Sequence, residues 1–327
     1  MQIINNLIYC IFLSIIFVAI INIYRHKISN LLELLDFPDN NRKFHNKTTP
    51  LIGSFPLVLS LVIYFIFCSE KNDLFIYIFL ISMLFFLIGL IDDKYNINYK
   101  KRFLLTIFIS TIFLFFKEEL LINSIYFETF EINKPLIKFH SIILTITCII
   151  ILINTFNFTD GINALSSYIA VVWLGSLLLL SQSLIPIIIF LIICLIINSF
   201  FILKGNYFIG DSGTLFLSSF IAFSTIYIFN NSNSISYENI FLIFIIPGLD
   251  MIRIIFIRLK NKKNPFLPDR NHLHHFLIKR YSLYQSLLIY LLLIVLPIML
   301  YYLIGVQLSI MLGGLFYFFT ILKLKKT

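Results

Sequence analysis

Four aspartates stand at or just beyond the ends of strongly apolar segments: Asp92 and Asp93 in IDDK, Asp160 in NTFNFTDGIN and Asp211 in YFIGDSGT. A carboxylate held in hydrocarbon costs at least roughly 2.5 to 3.5 kcal/mol on insertion scales, so it persists where water, a cation or a partner compensates it. Asp211 with Asn157 offers the oxygen donors of a hard cation such as Mg²⁺, which keeps several waters and shares its sphere with substrate phosphates. Lys100, Lys101, Arg102, Arg270, His272, His274 and His275 add donors suited to phosphate oxygens. Phosphate chemistry at a membrane surface is the class these residue types define. Plainer readings stand beside it. Asp92-Asp93 would also suit a solvated helix end, HLHH a transition-metal site, and RKFHNK, with Lys43 and His45, a loop whose charge only orients its neighbours.

The elements that must hold these groups are membrane spans. The 327 residues are 59% hydrophobic, 17% aromatic and 13% charged, with mean hydropathy +0.95, against roughly 25% charged residues in soluble domains. A span takes about 20 apolar residues. Eleven candidates lie near residues 3–24, 51–68, 74–91, 103–119, 139–156, 164–181, 184–203, 214–230, 238–258, 284–303 and 306–322. The expected fold is therefore all-α, a polytopic helical bundle of about eleven transmembrane helices.

An odd number of spans puts the termini on opposite sides, and the distribution of Lys and Arg selects the orientation. With the N-terminus outside, only Lys71, Lys117, Lys134 and Lys138 of the 25 basic residues face outward, leaving 21 on the cytoplasmic side with the C-terminal tail. The same dispersal accounts for the net charge of +9 as a topology signal and excludes nucleic acid as the partner. The first span is long for a signal-peptide core and lacks a small-residue cleavage site, so a retained helix is expected. Cys10, Cys68, Cys148 and Cys194 sit inside apolar spans without ligand spacing and are expected to pack, not to pair.

In this topology one transmembrane domain carries its motifs in cytoplasmic loops near 25–50, 92–102, 154–163, 204–213 and 259–283, while the outward loops are plain. Five stretches, in order, resemble the polyprenyl-phosphate N-acetylhexosamine-1-phosphate transferases, relatives of the phospho-N-acetylmuramoyl-pentapeptide transferase. They are D-x-P-x(3)-RK-x-H with P-x-x-G (Asp36 to Gly53), IDDK, N-x-x-N-x-x-DGIN (Asn154 to Asn163), F-x-GDSG (Phe208 to Gly213) and NPFLPDRNHLHH (Asn264 to His275). Each alone is weak; five on one membrane face are specific.

The resemblance implies transfer of an N-acetylhexosamine-1-phosphate from a UDP-sugar to undecaprenyl phosphate, releasing UMP, with Mg²⁺ (or Mn²⁺ in its place) as cofactor and the bacterial inner membrane as location. It implies Asp211 and Asn157 as metal ligands. Asp92, Asp93, Asp160 and Asp211 become the catalytic acids, with Asp92 the candidate for activating the lipid phosphate. It further implies Phe208 stacking on uracil, Asn163 reading its edge, Arg102 beside the diphosphate, and Lys43, His45, Lys101, Arg270, His272, His274 and His275 as further substrate contacts. A homodimer is compatible with it. Three positions depart from the common pattern: DGINAL carries Asn163 in place of an acid, Gly53 is followed by Ser54, and Arg102 replaces Lys, keeping charge but changing geometry. HLHH is closer to the hexosamine branch than to the peptidoglycan branch, whose loop has three consecutive His. An ion-coupled transporter, the rival from another class, would call for acids at mid-span and inverted repeats.

Overall fold

Apolar runs of this length can satisfy their backbone polar groups in hydrocarbon only as helices or closed barrels, and here they are helices. The computed structural model describes residues 2–38, 47–68, 73–180, 184–232, 235–264 and 269–325. Among these, α1 (Gln2–Leu32), α2 (Ser54–Cys68), α3 (Asp73–Tyr95), α4 (Tyr99–Phe116) and α5 (Lys138–Asn157) precede α6 (Leu165–Leu180), α7 (Ile185–Leu203), α8 (Gly210–Asn231) and α9 (Tyr237–Lys260). A six-residue helix, α10 (Leu273–Ile278), then precedes α11 (Leu283–Ile304) and α12 (Val306–Lys325). Eight of these helices are long and apolar enough to cross a membrane, α2 and α6 are shorter apolar helices, and α4 opens on Lys100, Lys101 and Arg102. Each of the eleven predicted segments is thus a helix.

The departures from expectation lie at the ends. The first helix runs on to Leu32, and α3 continues to Tyr95, so Asp92 and Asp93 occupy its last turn. A hairpin of β1 (Leu35–Asp36) with β2 (Thr49–Pro50) brackets the first motif. The outward loop predicted to be plain carries a second hairpin, β3 (Ser124–Phe127) with β4 (Ile132–Pro135), Glu131 adopting φ 50 between them. Ser-Ile-Tyr-Phe has the β-branched and aromatic character that suits a pleated ribbon. Glu238 at the start of α9 accepts from the amides of Glu128 and Thr129, tying the ribbon to the bundle.

At the centre stands α8, whose apolar window is entirely covered by its neighbours. Ser212, Gly213, Ser218, Ser219 and Ala222 keep its surface small, the means by which membrane helices approach closely. On α3, a Cβ added to Gly89 would lie 2.3 Å from the Cα of Ser212, so the two backbones touch there. This contact brings the acidic end of α3 to the N-terminus of α8.

Candidate active site

Two of the motifs are one structure. The Phe208 amide donates to the Pro50 carbonyl at 2.8 Å and the Gly53 amide to the Phe208 carbonyl at 2.8 Å, so TPLIG and YFIG pair as a short ladder. Asn198 of α7 donates to the Gly53 carbonyl and accepts from the Tyr207 hydroxyl, each at 2.8 Å. Ser54 and Ser212 hydrogen-bond at 2.8 Å. A Cβ on Gly53 would meet the Phe208 carbonyl oxygen at 2.7 Å, whereas the Ser54 that replaces a second glycine finds a partner for its hydroxyl.

Gly210 adopts φ +73, a left-handed conformation that glycine takes without strain. It turns the chain so that Asp93 caps α8 from another helix, accepting from the amides of Asp211 at 2.7 Å and Ser212 at 3.0 Å. A carboxylate at a helix N-terminus satisfies orphan donors and meets the positive end of the dipole. Both oxygens of Asp93 are engaged this way, which makes it the residue that aims Asp211.

Asp211 itself belongs to a four-membered cluster drawn from four helices. Arg102 directs one guanidinium nitrogen, Nη1, at Asp92 (2.7 Å) and at Asp211 (3.2 Å). Asn157, at the end of α5, donates to Asp211 at 2.6 Å and to Thr214 at 3.1 Å. Asp92 is 5% exposed, and its second oxygen accepts from the Ile97 amide at 2.8 Å. The Asp211 side chain, by contrast, is 35% exposed. A narrow cleft lined by Tyr99, Arg102, Phe103, Asn154, Asn157 and Phe158 leads to the cluster between α4 and α5.

The oxygens here fit a hard cation. A single cationic nitrogen already bridges Asp92 and Asp211, and Asn157 supplies an amide whose oxygen and nitrogen exchange by rotation. Among the described residues no three His, Cys, Asp or Glu side chains come together as a closed metal cage.

Asp160 follows the end of α5 and accepts from Ser166 at 2.8 Å. Burial pushes its carboxyl up to about 7, with Asp211 and Asp36 adding in the same direction and Ser166 opposing. Its side chain nevertheless reaches solvent. Asn163 is placed over the 204–208 turn, its Nδ2 3.7 Å from where a Cβ on Gly205 would lie. It therefore shares that turn with the half-buried Phe208. Lys101 is exposed on the outer side of α4 beside Leu104, Leu105 and Phe108, turned from the carboxylates that its neighbour Arg102 reaches. Lys43 and His45 lie outside the described residues.

The His-rich loop docks onto this end of the bundle through Gly161 of the DGIN stretch. A Cβ there would lie 1.9 Å from Nε2 of His274, so the ring rests directly on the backbone. Burial holds the His274 imidazole well below its usual range, with His275 and His272 adding to the effect. Burial also lowers His275, to about 4, with His272 and Arg270 adding while Asp269 and Asp250 oppose. Burial thus disfavours the charged form of both rings. His274, 1% exposed, locks two loops together. Arg270 is half-buried in the same loop. Asp269 accepts from Arg258 Nε at 2.8 Å and from the Asn271 amide at 2.8 Å. Burial raises its carboxyl, but these donors outweigh that and hold it below the ordinary range.

Asp250, in the middle of α9, is 3% exposed and bonds to His272. Sequence reasoning passed over it and over Tyr317. The available signal was an acid with Arg253 three residues on, inside an apolar span, where an unpaired charge does not survive.

Fold and site together define a multi-pass membrane protein with acids, an amide and a guanidinium converging at one end of its bundle. The model of glycosyl transferase family 4 matches residues 75–229, which include Asp92, Arg102, Asn157, Asp160 and Asp211. Over that stretch the chain is similar to this family. It is 28% identical over 260 residues to the undecaprenyl-phosphate alpha-N-acetylglucosaminyl 1-phosphate transferase of Thermotoga maritima, covering 79% of this chain and 77% of that one. Relatives of the same description in Yersinia pestis and Escherichia coli K12 are 27% and 26% identical over 291 and 287 residues, covering 84% and 81% of this chain and 76% and 74% of theirs.

Proposed function

We propose that this protein transfers N-acetylglucosamine-1-phosphate from its UDP-sugar to undecaprenyl phosphate at the cytoplasmic face of a bacterial inner membrane, releasing UMP. The observation that carries this reading is the cluster of Asp92, Arg102, Asn157 and Asp211, in a chain whose relatives are described as undecaprenyl-phosphate alpha-N-acetylglucosaminyl 1-phosphate transferases.

The balanced reaction forms a bond from a lipid phosphate oxygen to the β-phosphorus of the donor and breaks that phosphorus's bond to the bridging oxygen, which leaves with UMP. Asp211 and Asn157 would hold Mg²⁺, which when bound offsets diphosphate charge. Arg102 lies against both carboxylates and is in reach of a phosphate laid across them. A phosphate monoester has a second pKa near 6, so the lipid phosphate is largely dianionic at pH 7 and needs little help from a base. Asp92, buried with both oxygens engaged, fits placement of Arg102 better than proton abstraction or nucleophilic attack. Electrostatic positioning then supplies most of the rate, as in other phosphoryl transfers. Phe208 on the 204–208 turn, with Asn163 placed over that turn at Gly205, would meet the uracil. The test is UMP release from a panel of UDP-N-acetylhexosamines by purified protein with undecaprenyl phosphate, with and without Mg²⁺. Release from UDP-N-acetylglucosamine that needs lipid and metal supports the reading; lipid-independent release, or none from folded protein, overturns it.

A further inference from the structure

A carboxylate inside an apolar helix is tolerated when donors saturate it, and Asp250 is saturated from four directions. One of its oxygens accepts from Arg253 Nη2 at 2.7 Å and from the Tyr317 hydroxyl at 2.8 Å. The other accepts from Nδ1 of His272 at 3.0 Å, and the Leu273 amide lies 3.2 Å from both. Tyr317 has a single proton, given to Asp250, so its lone pair takes the bond from Arg253 Nε at 2.7 Å. Arg253 also donates to the Asn271 carbonyl at 2.6 Å. The His-rich loop is thereby fastened at three consecutive residues, 271 to 273, to α9 and to the last helix of the chain.

An ionised carboxylate only accepts, so the His272 nitrogen facing Asp250 must carry a proton. The hydrogen bond at one ring nitrogen decides the state of the other. With Nδ1–H committed to Asp250, the neutral ring presents an unprotonated Nε2. Rotation of the ring is blocked by stacking on His274 (5.5 Å, 4° between planes) and by Phe158 at 5.3 Å, the latter from the helix end that carries Asn157.

We propose that Asp250, braced by Tyr317 and Arg253, is a positioning residue that fixes His272 as its Nδ1–H tautomer and delivers Nε2 to the substrate. The proposal rests on the transferase reading for what the substrate is. It extends the functional unit to α12, since Asp250, His272 and Tyr317 all lie beyond the stretch matched by the family model.

A double-mutant cycle separates this from a structural role. Asp250→Asn and His272→Gln are each expected to lower kcat about 100-fold with KM for the UDP-sugar changed less than threefold, and the double variant to be no slower than the slower single one. Losses that multiply to about 10⁴-fold would overturn the proposal. Asp250→Asn leaves the buried Arg253 without its charge partner, and where that prevents folding, the cycle of Tyr317→Phe with His272→Gln reads the same coupling. A second readout needs no turnover: ¹⁵N shifts of labelled histidine in nanodiscs, with His272 assigned by its loss in His272→Gln. A Nδ1–H ring in wild type that shifts toward Nε2–H in Asp250→Asn is expected. A ring already Nε2–H in wild type refutes the proposal even where UMP release succeeds; a Nδ1–H ring in protein that releases no UMP leaves the positioning intact and refutes the transferase reading instead.

Discussion

The cluster around Asp211 and the cluster around Asp250 are each built on an Asp–Arg pair, yet one is open and the other closed. In the first, Asp211 is 35% and Arg102 22% exposed by side chain, and one nitrogen of Arg102 serves two acids. In the second, Asp250, His272 and Arg253 are 5%, 7% and 15% exposed, and each Asp250 oxygen has at least two donors. Buried polar networks rigidify when complete, while groups that must receive a ligand keep capacity unspent. Saturation, more than residue type, separates the charges that hold this site from those that would act in it.

The contrast predicts its largest effect at Asp211. Asp211→Asn should lower kcat/KM for UMP release by at least 10³-fold while leaving the thermal unfolding midpoint near wild type, because an exposed acceptor contributes little to packing. A fall in stability with activity retained would place Asp211 with the architecture. Next comes Gly161, where the two regions touch. Gly161→Ala forces a Cβ into His274, and overpacking of this kind costs about 1–3 kcal/mol. A 10- to 100-fold loss of kcat/KM with a lowered unfolding midpoint is expected, partly restored by adding His274→Ala. No loss on Gly161→Ala would mean that the His-rich loop sits elsewhere.

Helix number and the residues at the acidic end are legible in the sequence because hydrocarbon sets both: spans must be apolar and long, and each acid at their ends needs a reason. The division of labour between Asp92 and Asp93 is not, since one residue of offset turns a side chain by 100° on α3 and sends Asp93 to the amides of α8. Nor is the lowered basicity of His274 and His275, which follows from their burial, His274 resting on the backbone of Gly161. Asp250 is hidden for a related reason: its partners His272 and Tyr317 are 22 and 67 residues away. The β3–β4 hairpin escapes notice because a four-residue ribbon is brief beside twenty-residue spans.

Buried imidazoles leave a trace in stability. His275 is lowered to about 4 from its ordinary 6.5 by burial first, so below pH 6.5 the unfolded chain binds a proton that the folded one refuses. Stability therefore declines as pH falls from about 6.5 toward 4, and rises with pH across that window. His275→Gln should flatten this acid slope of the unfolding midpoint measured in detergent. An unchanged slope would show that His275 is charged in the fold and place it in the phosphate-binding set.

The smallest effect is expected one residue from one of the largest. Lys101 and Arg102 are both basic and adjacent, but α4 turns about 100° between them. Lys101 lies along Leu104 and Phe108 on the outer surface, and Arg102 between Asp92 and Asp211. Lys101→Ala should change kcat/KM less than threefold, while Arg102→Ala should lower it about 100-fold. Arg102→Lys is the sharper variant. Arg often outperforms Lys where a planar fork makes paired bonds, yet here Nη1 alone reaches both acids. An ammonium can occupy that point, so Arg102→Lys should keep activity within about tenfold of wild type. A loss as deep as that of Arg102→Ala would mean that the guanidinium fork engages the donor diphosphate, a geometry in which the bridge to Asp92 and Asp211 is the resting position of a residue that moves on binding.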